Sequence, residues 1–350
     1  MKAARILKPK EPLAIEDLNI PKPRNVQVLV KVQSTGVCHS DLHLWDGGYA
    51  GPAGVFMKVE DRGVKFPLTP GHEVAGTVES LGEYAEGFNV GDKVLVYPWI
   101  GEGICPACRV GEENLCDKPR SIGIYQDGGY AEYVLVPHYK YLINIDGQDP
   151  ASVASLACSG LTAYSAVKIA NAKPAESLVI VGAGGLGLMG IQLAKALTNT
   201  TITVLDIDDK RLDETKKLGA DHVINSKTLD PVKEIKELTN GMGADVIIDF
   251  VNASKTVTTD INMLRKRGRL VLVGLFGGSI ELNLALMPLR AFKILGSYTG
   301  KYTDLVELVE LAKKNVLRSI VSRKFKLDEA NDALNQLKEG KIIGRAVISP

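Results

Sequence analysis

No charge of one sign dominates this chain of 350 residues. Its 42 basic and 41 acidic side chains leave a formal net charge of +1. Without a basic excess to neutralise phosphates, nucleic-acid binding as the main task is disfavoured. Long hydrophobic runs are also missing. The most apolar stretch, Leu178–Ile191, is broken by five glycines and falls short of the roughly 18 residues of a membrane span. The N-terminal MKAARILKPKEP is basic and lacks the apolar core of a secretion signal. A soluble, cytoplasmic protein is therefore expected. Aromatic residues are few, at 6%, with two tryptophans, and there is neither an internal repeat nor a low-complexity segment. The 45% hydrophobic and 24% charged residues exclude extensive disorder. The length suggests two domains.

Glycine is plentiful. Its 35 positions make up about a tenth of the chain, against a usual ~7%. The first 150 residues read as short strands between Gly and Pro, at Val26–Val32, Val74–Glu79, Lys93–Tyr97 and Ala131–Val136. They suggest an antiparallel sheet or barrel without a strong helix. From Ser177 the pattern changes to strands alternating with helices. Ser177–Val181 is a buried-type strand, Leu186–Leu197 a helix and Thr201–Leu205 a strand. Asp209–Leu218 is a helix stopped by Gly219, and Asp230 with Pro231 opens another over Val232–Thr239. His222–Ile224, Asp245–Phe250, Arg269–Val273 and Ala291–Leu295 complete six strands, the signature of a doubly wound parallel sheet. Residues 303–350 return to helices and a last strand, Arg345–Ile348.

Within the second half, Gly182-Ala-Gly184-Gly185-Leu186-Gly187 fits G-x-G-x-x-G between a strand and a helix. The first glycine permits a tight turn, the second lets a pyrophosphate approach the backbone, and the third packs helix on strand. The helix N-terminus supplies free N–H groups. Asp206 ends the next strand, where a carboxylate bonds ribose hydroxyls and repels a 2′-phosphate. NAD is thus favoured over NADP. The competing reading is a structural turn followed by a capping Asp.

The five cysteines are an odd number, and three fall within twelve residues as Cys105-x2-Cys108-x7-Cys116. In a chain of this type the spacing favours metal over disulfides. Tetrahedral zinc needs a fourth ligand, and Glu102 precedes Cys105 by three residues. A solvated loop carboxylate is the alternative for Glu102. Cys38, Cys158 and His72 could form a Cys2His set with one open position, but nothing in their spacing brings them together. Each, taken alone, reads as packing or as an ordinary hydrogen-bonded histidine.

Gly36-Val-Cys38-His39-Ser40-Asp41, Gly71-His72-Glu73, the Cys105–Cys116 loop, Cys158-Ser-Gly-Leu-Thr162 and the glycine loop follow one another in an order that resembles the zinc-dependent medium-chain alcohol dehydrogenases. The likeness covers essentially the whole chain. Tyr97-Pro-Trp-Ile-Gly-Glu102-Gly, with Glu in place of the usual first cysteine, is most similar to the archaeal thermophilic branch. The resemblance implies a GroES-like β-barrel catalytic domain over 1–155 and 300–350, and a Rossmann NAD-binding domain over 156–299. It also implies two zinc ions per chain. Cys38, His72 and Cys158 would hold the catalytic one, with Glu73 near it or as an alternate ligand. Glu102, Cys105, Cys108 and Cys116 would hold the structural one. Asp41 would orient His72, and Ser40 and His43 would form a proton relay. Thr162 and the turn Val273-Gly274-Leu275 would sit against the nicotinamide. Arg345 matches a pyrophosphate-binding arginine, and His39 stands where some members carry a phosphate-contacting arginine. Trp99 would wall an apolar substrate pocket. The implied activity is reversible NAD-linked oxidation of small alcohols to aldehydes or ketones by a homodimer or homotetramer. A polyol or sugar dehydrogenase, a zinc-free quinone or enal reductase and a non-catalytic NAD-binding protein are the alternatives.

Overall fold

The computed structural model describes residues 1–51 and 54–350. The chain divides into two units. One comprises Met1–Gly48, Lys58–Leu161 and Thr299–Pro350, and the other Tyr49–Met57 and Thr162–Tyr298. The boundary falls inside the helix Ser159–Ala170, later than the 155/156 division expected from the sequence. The reason is local. Cys158 lies against Cys38, and Ala157 accepts a hydrogen bond from the Trp99 indole, so both stay with the first unit.

The first unit is built on one long strand, Val28–Val37. It pairs antiparallel with Val74–Leu81, with Tyr133–Val136 and with the last strand, Arg345–Ser349. Lys93–Val96 and Leu142–Asn144 extend the sheet on one side, and Val321–Lys326 extends it on the other, parallel to Arg345–Ser349. Register shifts at Leu29/Val30 and Val32/Ser34 mark irregularities of the bulge type, which bend and twist a sheet. Val28, Val30 and Val32 are buried on one face, and Lys31 and Gln33 between and after them are exposed, as strand alternation requires, while Leu29 is buried as well.

The second unit carries six parallel strands. Their order is His222–Asn225, Thr201–Asp206, Ser177–Val181, Ala244–Asp249, Leu264–Leu272, Lys293–Gly296. In sequence terms this is 3-2-1-4-5-6, the doubly wound order whose strand reversal opens a crevice beside the first strand. Apolar side chains from strands and flanking helices form its core, among them Val179, Leu205, Ile247, Ile261 and Leu270. The helices start where the sequence signals them. Asp208 caps Asp209–Lys217 and Asp230 caps Pro231–Leu238, each accepting backbone N–H bonds. No single helix among the described residues is long and apolar enough to cross a membrane.

Candidate active site

The strand Val28–Val37 delivers Cys38 to the start of the helix His39–Asp46. Sequence reading missed this helix, which is only eight residues long and weakly amphipathic. Its signal is a capping box at Cys38-x-x-Asp41, in which the Asp41 carboxylate accepts the Cys38 N–H at 2.9 Å. The same buried carboxylate accepts from Gly71 N–H at 3.3 Å and from the Tyr130 hydroxyl at 3.2 Å, and lies 3.3 Å from His72 Nδ1. Asp41 thus ties a helix start, a loop and an imidazole into one fixed geometry.

His72 is fully buried, and its Nε2 has no protein partner. One donor atom each from Cys38, His72, Glu73 and Cys158 lies within 4.8 Å of all the others. The two sulfurs are 3.9 Å apart although 120 residues separate them in sequence. Hydrogen bonding to Cys158, aided by His72 and outweighing burial, holds the Cys38 thiol well below its usual range, and the same hydrogen bond pushes Cys158 up. Burial alone would press His72 down, but Asp41 and Cys38 raise it. An unpartnered buried imidazole nitrogen beside two close sulfurs fits a Cys2His zinc site.

Glu73 is buried and pairs with Arg345. Burial pushes its carboxyl up to about 7, against the pull of the Arg345 charge. Its Oε2 is unpartnered, and a β-carbon on Gly36 would overlap it, so glycine is required there. Trp99 is 2% exposed, and its ring centroid lies 5.4 Å from that of His72. Ser40 and His43 are half-buried on the helix that follows Cys38, whereas His39 is exposed. Burial lowers the His43 pKa.

The second cluster brings Cys105 Sγ within 3.4 Å of Cys108 Sγ and 3.7 Å of Cys116 Sγ. Cys116 also accepts the N–H groups of Glu102 and Lys118. Burial raises the Cys108 thiol to about 11, and a backbone hydrogen bond lowers Cys105. The Glu102 carboxylate stands outside this trio, 3.9 Å from Lys118 Nζ. Only its backbone reaches a cysteine.

In the second unit, the glycine loop divides its labour. Gly182 adopts φ +94°, and a β-carbon on Gly187 would overlap the Gly182 carbonyl. A β-carbon on Gly184 would meet nothing, which leaves that face open for a ligand. Gly184 caps the helix Gly185–Leu197. Asp206 Oδ2 accepts the Ala183 N–H at 2.7 Å, and its Oδ1 accepts from Ile207 and Asp208. The carboxylate is therefore fixed at the crevice. Thr162 is buried in the helix Ser159–Ala170, and Val273 and Gly274 are buried beside an exposed Leu275.

Family models match both halves of the chain, an alcohol dehydrogenase GroES-like domain at 24–147 and a zinc-binding dehydrogenase at 185–314. An NAD-dependent alcohol dehydrogenase of Sulfurisphaera tokodaii is 45% identical, and one of Saccharolobus solfataricus 42%, each over the full length of both chains. The crystal structure of an alcohol dehydrogenase from Aeropyrum pernix superposes with a TM-score of 0.91 at 38% identity, again covering both chains completely. This chain belongs to the zinc-dependent alcohol dehydrogenases. The GroES-like and Rossmann architecture expected from the sequence is that of the family.

Two relationships in this family member's site carried no sequence signal. Tyr130 reaches Asp41 from 89 residues away, and Arg345 pairs with Glu73 from 272 residues away. The sequence resemblance placed Arg345 at a pyrophosphate. The structure places its guanidinium beside the cluster of Cys38, His72, Glu73 and Cys158.

Proposed function

We propose that this oxidoreductase oxidises small primary and secondary alcohols reversibly with NAD. The observation that carries the reading is the buried Cys38, His72 and Cys158 set with an unpartnered His72 Nε2, walled by Trp99. Zinc held by these three residues would supply a Lewis acid, which lowers the pKa of a bound hydroxyl, as it lowers that of bound water to about 7.

The remaining work falls to the chain's own groups. Asp41 holds His72 in one ring orientation through Nδ1. Ser40 accepts the hydroxyl proton, and His43, kept neutral by burial, passes it outward. Asp206 bonds the adenosine ribose, with Ala183 N–H bracing its Oδ2. The open face of Gly184 and the start of the helix Gly185–Leu197 receive the pyrophosphate. Thr162 and Val273–Leu275 seat the nicotinamide. The Trp99 indole N–H is already bonded to Ala157, so it presents the substrate with an apolar ring. That favours aliphatic or aromatic alcohols over polyols. Cys105, Cys108 and Cys116, with Glu102 turned inward as the fourth ligand, would hold a structural zinc.

We further infer a cytoplasmic homodimer or homotetramer. Lys293–Gly296 is an open sheet edge, and the nearby Leu284 and Leu289 are 79% and 72% exposed. A second copy covering them would resolve both features.

Zinc per chain, counted beside NAD-linked oxidation of benzyl alcohol, 2-butanol and sorbitol, tests the reading. Two zincs with turnover of the first two alcohols are expected. Replacing Cys38 by Ala should abolish turnover and leave one zinc. A Cys38→Ala enzyme with full activity would sink the assignment, and preference for sorbitol would move the substrate to the polyols.

A further inference from the structure

The helix Ser254–Met263 carries a buried acid that the proposed reaction leaves without a role. Asp260 is 1% exposed, and neither of its carboxyl oxygens has a hydrogen-bond partner. Its helix packs on the strand Ala244–Asp249, whose last residue, the fully buried Asp249, is the charge that acts on it. Asp249 already accepts three hydrogen bonds. Oδ1 takes the N–H groups of Val251 and Asn252 at 2.7 and 2.8 Å, and Oδ2 takes the Thr256 hydroxyl at 2.7 Å. Asn252 then donates its side-chain amide to the Gly274 carbonyl at 2.8 Å. Gly274 sits so close that a β-carbon would overlap the Val251 carbonyl. Hydrogen bonds therefore run from Asp249 through Asn252 to the turn Val273–Leu275, with Asp260 beside their start.

Two facing carboxylates without a cation between them are costly in a dry interior, and one proton removes the conflict. From the strand Ala244–Asp249, Asp249 is the facing charge. Among the described residues, the strand Leu264–Leu272 and the helix Pro231–Leu238, packed on the same helix, contribute no charged group that acts on Asp260, and the Arg290 guanidinium at the end of the helix is bonded to the carbonyls of Ile261 and Leu264. Burial first, and the Asp249 charge second, hold the Asp260 carboxyl well above the usual range.

We propose that Asp260 is a proton-carrying positioning residue. As a neutral acid it donates to Asp249 and steadies the Asn252–Gly274 contact, and when it loses its proton in alkaline solution the nicotinamide turn loosens. This rests on the assignment of Val273–Leu275 to the nicotinamide.

The first test is stability against pH for the zinc-loaded protein without NAD. An aspartate in the unfolded chain titrates near ~3.9. Above that value the native state holds one proton more than the unfolded state, so stability falls as pH rises, until Asp260 itself ionises. For one proton the limit is about tenfold in the folded-to-unfolded ratio per pH unit. Asp260→Asn removes this proton. Its stability relative to the parent should rise as pH increases from about 5, and an unchanged difference would overturn the proposal. Asp260→Leu makes the same measurement if the amide fails to fold. The second test is the KM for NAD. In the parent it should climb in alkaline solution while kcat changes less, and in Asp260→Asn the climb should vanish. Identical KM profiles would overturn the positioning role. A Leu275→Ala enzyme with the parent's KM for NAD would overturn the nicotinamide assignment, and the stability measurement would still report the proton.

Discussion

The carboxylate of Asp41 lies 3.3 Å from Nδ1 of His72, and neither side chain is exposed to solvent. The contact leaves Nε2 as the ring atom free to bind a metal. Replacing Asp41 by Asn keeps the shape and removes the charge. Such partners are typically worth about 10- to 100-fold in metal affinity or activity. Zinc retention during dialysis against a chelator, read beside kcat/KM, should fall by that amount. The Cys38 N–H cap should survive in Asp41→Asn and be lost in Asp41→Ala.

The glycine loop predicts two different failures from one kind of change. Gly184→Ala should fold normally, because its β-carbon meets nothing, and should weaken NAD binding. Gly187→Ala should lose stability by itself, since its β-carbon overlaps the Gly182 carbonyl; such overpacking typically costs about 1–3 kcal/mol. Thermal unfolding without NAD separates the two, and NAD titration then shows the loss in Gly184→Ala.

A pH profile reads His43. Burial lowers its pKa below 6.5, against the raising charges of Cys38 and Asp46. A depressed pKa means the neutral, proton-accepting ring persists as pH falls through 6.5. Alcohol oxidation should therefore hold to below that value and decline only in more acid solution. His43→Gln should lose that acid limb and slow oxidation by up to about 100-fold. An unchanged profile would remove His43 from the relay.

The cysteine trio should be separable from catalysis. Cys108→Ser should release one zinc per chain and lower Tm, by about 2–4 °C per kcal/mol lost. Alcohol turnover at low temperature should remain. Glu102→Gln should loosen the same zinc if its carboxylate swings from Lys118 toward the thiols on metal binding, and zinc content after dialysis measures it.

What the sequence made legible is what local chemistry decides. Asp208, Asp230 and Pro231 announce helix starts because a short acceptor or a fixed φ satisfies the first turn. Gly182 and Gly187 stand out because the turn leaves no room or backbone freedom for a side chain, and Gly184 because it keeps the face of the turn open. The convergence of Cys38, His72 and Cys158 was legible only through family resemblance, since no spacing rule spans 120 residues. The helix His39–Asp46 escaped because its cap is a cysteine, outside the usual Ser, Thr, Asp and Asn. Arg345 with Glu73, and Asp260 with Asp249, escaped for another reason. A buried charge reads in sequence like a solvated one, and only tertiary packing distinguishes them.

The long strand Val28–Val37 has a consequence for synthesis. Its far end pairs with Arg345–Ser349, whose arginine neutralises Glu73 within the Cys38, His72, Glu73 and Cys158 cluster. A chain still on the ribosome at residue 300 would already own every cysteine and histidine of the site, yet it would present Glu73 as a buried acid without its cation. Zinc capture with the mature ligand geometry thus belongs to a chain whose last strand has been released and docked.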